Sequence, residues 1–204
     1  MQLLLIDDNA NLCKLYQELL RQGGHEVRFE TNAENALDAI RMKPPELILL
    51  DIMMEPISGW EVLEQIRSST DIADIPVIIL TGKVLTAHEA RKYGLMIEGF
   101  IMKPLERTML LKAVDDIKEV IDESEEQYLR AISSGLTSEQ ASACRDGIKK
   151  KNIIKFLHET LLKQEQLMKE DVSEHVEILN SLDELRQMIT TKYQELRHLM
   201  KNCP

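Results

Sequence analysis

Three kinds of side chain in this sequence could share one piece of chemistry. Asp7 and Asp8 follow an apolar run, Asp51 follows a second, Thr81 a third and Lys103 a fourth. Carboxylates brought together repel one another unless a cation sits among them, and Mg²⁺ prefers hard oxygen ligands with several waters retained. An aspartate is also a nucleophile, and a lysine ammonium is a counter-charge. Gathered at one point, the set outlines a phosphoryl-transfer site whose charge is neutralised by Mg²⁺ and Lys103. Taken singly, each residue has a plainer reading. An Asp-Asp pair usually opens a helix or lies in a solvated turn, and a threonine after a strand is commonly a cap.

What gathers them is the order of the elements. Short apolar runs at Leu3–Ile6, Glu26–Phe29, Leu47–Leu50, Val77–Leu80 and Gly99–Met102 suit strands of a parallel sheet covered on both faces. Helical patterns lie between them at Ala10–Arg21, Ala33–Met42, Gly59–Arg67 and Ala87–Tyr93. Gly23-Gly24 stops the first helix, Pro44-Pro45 precedes the third strand and Pro76 opens the fourth. Such alternation implies a doubly wound α/β domain, whose ligands bind at strand carboxyl ends near the topological switch point. The acidic and basic residues stand at those ends.

The stretch Leu4-Leu5-Ile6-Asp7-Asp8-Asn9, then Asp51 with Gly59 eight residues on, then Leu80-Thr81-Gly82, then Lys103-Pro104, resembles the response-regulator receiver family. The resemblance covers roughly the first 120 residues and implies a five-stranded parallel, flavodoxin-like fold. It further implies that Asp51 accepts a phosphoryl group from a sensor histidine kinase. Asp8 and Asp51 would bind Mg²⁺ directly, Asp7 through water, and the Met53 backbone carbonyl would add an oxygen. Thr81 would hydrogen-bond the phosphoryl group, Lys103 would pair with it, and Phe100 would be a switch residue linked to Thr81. Considered alone, Phe100 reads as core packing. Met53 and Lys83 stand where this family tunes water attack on the acyl phosphate. One departure is visible: the family's proline four residues after the phosphoacceptor is Glu55 here, with Pro56 following.

Composition bounds the rest. A formal net charge of -10 argues against broad attraction to nucleic acid or anionic lipid. No apolar run reaches the roughly 18–20 residues of a membrane span, and Met1–Ile6 lacks the basic flank of a leader. Cys13, Cys144 and Cys203 fit neither a disulfide framework nor a zinc spacing, so a reducing, cytoplasmic compartment is expected. No separate substrate site is evident, so catalysis is limited to self-phosphorylation and its reversal by water.

Two regions are therefore expected, a receiver over 1–120 and an all-α coiled-coil or helical-hairpin interaction region over 121–204. Leu110, Val114, Ile117, Ile121 and Tyr128 continue a 3/4-spaced series past a polar Ser124, predicting one helix from Leu105 to Ser133. Gly135 is a C-cap candidate, and Thr137 with Gln140 forms a candidate capping box for a further helix. From Ile154 to Leu199 an interrupted heptad frame follows, weakest between Lys163 and Asp171, where a hairpin is favoured over one long helix. Dimerisation through these seams and contact with a downstream protein form the main output expected. Lys149-Lys150-Lys151 with Lys155 raises DNA binding as an alternative, although 11 acidic and 11 basic residues balance from Gly135 onward. A phosphotransfer role for His158 is a third and weaker reading.

Overall fold

A computed structural model describes residues 1–83, 87–103, 107–168, 183, 186–188 and 190–195, the side chains at 87, 90, 91, 153 and 156–168 excepted. In chain order come β1 (Gln2–Ile6), α1 (Ala10–Gln22), β2 (Glu26–Glu30), α2 (Ala36–Met42), β3 (Leu47–Asp51) and α3 (Gly59–Ser68). Then follow β4 (Val77–Thr81), α4 (Ala87–Tyr93), β5 (Gly99–Met102), α5 (Arg107–Ser133) and α6 (Ser138–Met168). Two compact units result: Met1–Val84 with Tyr93–Leu111, and Leu85–Lys92 with Lys112–Pro204.

The first unit holds a five-stranded sheet of order β2-β1-β3-β4-β5, with every neighbouring pair parallel. This is the doubly wound order expected, and its switch point falls between β1 and β3. Leu3–Ile6, Leu47–Leu50 and Val77–Leu80 are at most 1% exposed, because both sheet faces are covered. Each such side chain contributes roughly 1.5–3 kcal/mol on burial, so the central strands form a stiff platform for whatever follows them.

Local signals set the helix ends. Asn9 Oδ1 accepts from the N–H groups of Asn11 and Leu12, both at 3.1 Å, and caps α1 beside Asp7-Asp8. Ser58 and Glu61 form a reciprocal capping box that opens α3. The helix expected over Ala33–Met42 is divided: Ala33–Asn35 is a 3₁₀ turn, and α2 starts at Ala36. Asn32 Oδ1 accepts from Glu34 N–H at 3.0 Å and holds that tighter turn, a local option that asparagine offers the backbone.

Arg67 joins α3 to the loops that precede β4 and β5. Its guanidinium donates to the carbonyls of Met96 (2.7 Å), Ala73 (2.7 Å) and Ile75 (2.8 Å), and to Glu98 Oε2 at 2.8 Å. Glu98 also accepts from the Val77 N–H, so one carboxylate ties the starts of β4 and β5 together.

In the second unit, Val114 and Ile117 of the expected stripe are buried along α5, as are Ser124 and Ala131, whereas Ile121 and Tyr128 are half-buried. The buried Ser124 hydroxyl donates to the Ile121 carbonyl at 2.8 Å, which satisfies it within its own helix. Gly135 has φ +92, a left-handed conformation that favours glycine, and Leu136 N–H returns to Ala131 O at 3.2 Å. The Thr137–Gln140 capping box forms as expected, with both of its hydrogen bonds present. The α5–α6 pair is antiparallel. Tyr128 meets Ser138 at 3.2 Å, Arg145 reaches Glu125 at 3.5 Å and Asn152 donates to Glu123 at 3.1 Å.

The expected hairpin at Asp171 and the His158 side chain lie outside the described residues, while α6 runs unbroken to Met168. The expectation of no disulfide fails at Cys144, which is buried on α6 and disulfide-bonded. Among the described residues, no helix is long and apolar enough to cross a membrane.

Arg67→Ala would leave Glu98 and three carbonyls without their common donor. A loss of about 3 kcal/mol is expected in urea denaturation near neutral pH, since one member of a largely buried ion pair is removed. A loss below about 0.5 kcal/mol would show that the guanidinium is dispensable.

Candidate functional site

Asp51 is the last residue of β3 and Asp7 the first after β1, so adjacent central strands end in carboxylates at the switch point. Asp7 is 1% exposed and Asp51 4%, whereas Asp8 faces solvent. One carboxylate oxygen from each of the three lies within 4.8 Å of the others. Lys103, just past β5, reaches in with its ammonium 2.6 Å from Asp7 Oδ2 and 3.3 Å from Asp51 Oδ2. Its own N–H bonds to the Thr81 carbonyl at 2.6 Å, which extends the β4–β5 pairing to this point.

Lys103 thus bridges the two buried carboxylates, with the Asp8 carboxylate beside them. Asp51 Oδ1 is buried without a hydrogen-bond partner. An orphaned carboxylate oxygen among three clustered carboxylates fits a hard divalent cation such as Mg²⁺. Burial raises the Asp51 pKa above the ordinary aspartate range, opposed by the Lys103 charge and by a hydrogen bond from the Met53 N–H. Burial alone would lower the pKa of Lys103. The hydrogen bond to Asp7 and the charge of Asp51 outweigh it, so the ammonium is held above the usual lysine value.

Other expected site residues cluster nearby. Thr81 ends β4 and is fully buried; its hydroxyl donates to the Lys83 carbonyl at 3.1 Å and accepts from the Lys83 N–H at 3.0 Å. That hydroxyl therefore closes its own loop. Phe100 is fully buried on β5 and pairs with Ile79, while Thr81 pairs with Met102. Paired residues share a sheet face and side chains alternate, so Phe100 lies on the face of Thr81, one step before it. Met53 is 55% exposed, with its sulfur near Gly82. Pro56 follows a cis peptide bond, and Gly59 keeps its place.

Sequence reasoning placed Gly59 in a motif without finding its reason. A Cβ there would stand 2.0 Å from the Asp51 carbonyl oxygen and 2.7 Å from Ile52 Cα. Only glycine lets α3 start directly against the backbone of Asp51. Cys13 was also missed as a site neighbour. It is fully buried on α1, and its thiol donates to the Asp7 carbonyl at 3.3 Å. Burial and the Asp7 charge push that thiol up to about 12. Its place on the buried face of α1, one turn after the Asn9 cap, was the available signal.

The response regulator receiver domain model matches residues 3–115, and the chain belongs to that family. It is 25% identical over 193 residues to "Probable transcriptional regulator ycf29" of Pyropia yezoensis, covering 82% of this chain and 87% of that protein. It is 32% identical over 102 residues to the polar-differentiation response regulator DivK of Brucella anthropi, covering 50% of this chain and 83% of DivK. Among solved structures, it resembles the signal receiver domain of a DNA binding response regulator (merR) from Colwellia psychrerythraea 34H. That similarity has a TM-score of 0.54 and 26% identity over 58% of this chain and 98% of the other.

Two measurements test this local geometry. Gly59→Ala must displace the β3 backbone or α3, and a loss of about 2–4 kcal/mol in urea denaturation is expected. Cys13 remains a neutral, enclosed thiol at about pH 8, so alkylation in the native chain should modify it only on unfolding. Labelling of Cys13 at the rate of a free thiol would contradict its placement.

Proposed function

We propose that Asp51 is the phosphoacceptor of a two-component response regulator, receiving its phosphoryl group from a sensor histidine kinase. The observation that carries this reading is the buried Asp51 carboxylate, with one oxygen facing Lys103 and the other unpartnered among acidic neighbours. An Asp51 oxygen forms the new bond to phosphorus as the bond to the donor histidine breaks, and the imidazole leaves. Asp8 and Asp51 would hold Mg²⁺, with Asp7 acting through water and the Met53 carbonyl as a further ligand. When bound, the ion neutralises charge on the transferring group. Lys103 compensates a phosphoryl oxygen, and Thr81 exchanges its bond to Lys83 for one to that group. Phe100, on the same sheet face, responds to that movement.

The receiver spans 1–120, and the helical region over 121–204 carries the output by protein–protein contact, a second copy of the chain included. A cytoplasmic setting suits such a partner. The Pyropia yezoensis match favours a second reading, because it covers 82% of this chain, more than the receiver alone, and that protein is named a probable transcriptional regulator. DNA would then be the target of that region, and a mobility shift weakening steeply with salt would distinguish this output.

Incubation with a small phosphodonor and Mg²⁺ should add one phosphoryl group to the wild-type chain and none to Asp51→Asn, read by intact mass. Removal of Mg²⁺ or Lys103→Ala should slow the gain by about tenfold or more. Absence of any gain in wild type would overturn the reading. Size analysis of the phosphorylated chain tests dimerisation separately. Met53→Ala and Lys83→Ala should each shorten the acyl-phosphate lifetime several-fold, because bulk that shields the group from water is removed.

A further inference from the structure

Immediately after the glycine that abuts Asp51 stands Trp60, the chain's single tryptophan. Its ring lies flat on Tyr93, the residue that ends α4, with centroids 4.2 Å apart and planes 2° from parallel. Both residues are 8% exposed. The Tyr93 hydroxyl donates to Glu64 Oε1 at 3.0 Å, one turn further along α3. Tyr93 is thus held to α3 at two points, by its ring and by its hydroxyl.

The other end of this connection is the phosphoacceptor loop. Gly59 N–H donates to the Ile52 carbonyl at 3.3 Å, closing the loop that leaves Asp51. There is no slack at that contact, because Gly59 already sits against the Asp51 and Ile52 backbone. The capping box of Ser58 and Glu61 fixes the first turn of α3, so displacement of the loop carries Trp60 with it. Closely packed rings transmit such a shift, since small gaps forfeit much of their contact energy.

We propose that the Trp60–Tyr93 stack couples occupancy of Asp51 to the end of α4, as a path separate from Thr81 and Phe100. The proposal rests on Asp51 being the phosphoacceptor. Coupling of this kind is reciprocal: if phosphorylation alters the stack, altering the stack changes how well the phosphorylated state is held. Tyr93 acts as a positioning residue through Trp60 and touches none of the reacting atoms.

The test uses the full chain with Mg²⁺ and a small phosphodonor, following intact mass and Trp60 emission together. In wild type, the emission should change in step with the mass gain, and Asp51→Asn should show neither change. Tyr93→Leu keeps apolar bulk but removes the stacked ring and the hydroxyl. It should still gain the phosphoryl group while losing most of the emission response, and its acyl-phosphate lifetime should differ from wild type by about fivefold. Tyr93→Phe, which keeps the ring, should retain the emission response, and this holds the test open if Tyr93→Leu unfolds. A wild-type mass gain with unchanged emission overturns the coupling, as does a Tyr93→Leu chain that responds and dephosphorylates like wild type. No mass gain at all overturns the phosphoacceptor reading, and this proposal falls with it.

Discussion

Everything in the first unit is arranged around one unfavourable act, the confinement of like charges at the edge of a dry core. Asp7 and Asp51 are almost fully buried, and Asp8 stands beside them. Two unit charges about 5 Å apart at an effective dielectric near 20 repel by about 3 kcal/mol. A single ammonium, Lys103, bridges the two buried carboxylates and offsets part of that cost. The remainder is carried by the aliphatic strands beneath, where every side chain of Leu47–Leu50 is inaccessible to solvent. Stability in the sheet thus permits strain at its carboxyl edge, an arrangement typical of functional sites.

That constraint explains why the surrounding contacts leave so little slack. A lysine serves as counter-charge here only if β5 delivers it at the correct height, and β5 is aligned by the Glu98 carboxylate, which accepts from the Val77 N–H, and by the Glu98 N–H, which donates to the Val77 carbonyl. Arg67 holds Glu98 from the α3 side. The same helix starts against the Asp51 backbone at Gly59, so α3 fixes Asp51 and its counter-charge through opposite ends. Glycine at one end and arginine at the other are different solutions to one positioning requirement.

The strands were legible because continuous Leu/Ile/Val runs have few alternatives once they are bounded by Gly, Pro and acidic residues. All five differ from their expected limits by at most one residue. The aspartates, Thr81 and Lys103 were legible for a related reason: their position at strand ends is a property of local order. Arg67, Cys13 and the Trp60–Tyr93 stack were not. Their partners lie at long separations in sequence or on another element, and no local period distinguishes an arginine aimed at carbonyls from one in solvent. The Thr81 hydroxyl shows the same limit. Its residue type fixes what it can bond, whereas the choice of Lys83 as partner belongs to loop geometry.

The α5 seam gives a sharper case. Its 3/4 spacing suits pairing with a second subunit and pairing within the chain equally well, because periodicity identifies an apolar face and not its occupant. In the structure, part of the polar edge of α5 is used internally: Glu125 meets Arg145 and Glu123 meets Asn152, both on α6. Tyr128 adds a hydroxyl contact to Ser138 and places its ring beneath the Arg145 guanidinium at 5.5 Å. These contacts lie on either side of Lys149-Lys150-Lys151, so the basic run sits on a helix already matched to an acidic neighbour. A partner that engages α5 through the same edge must exchange these bonds for its own. A partner that leaves them intact must use the outward residues, among which Leu129 and Ile132 are the exposed apolar ones near the turn. The two modes differ in salt dependence, since breaking an acidic-to-basic edge is favoured by screening whereas contact through Leu129 and Ile132 is largely indifferent to it.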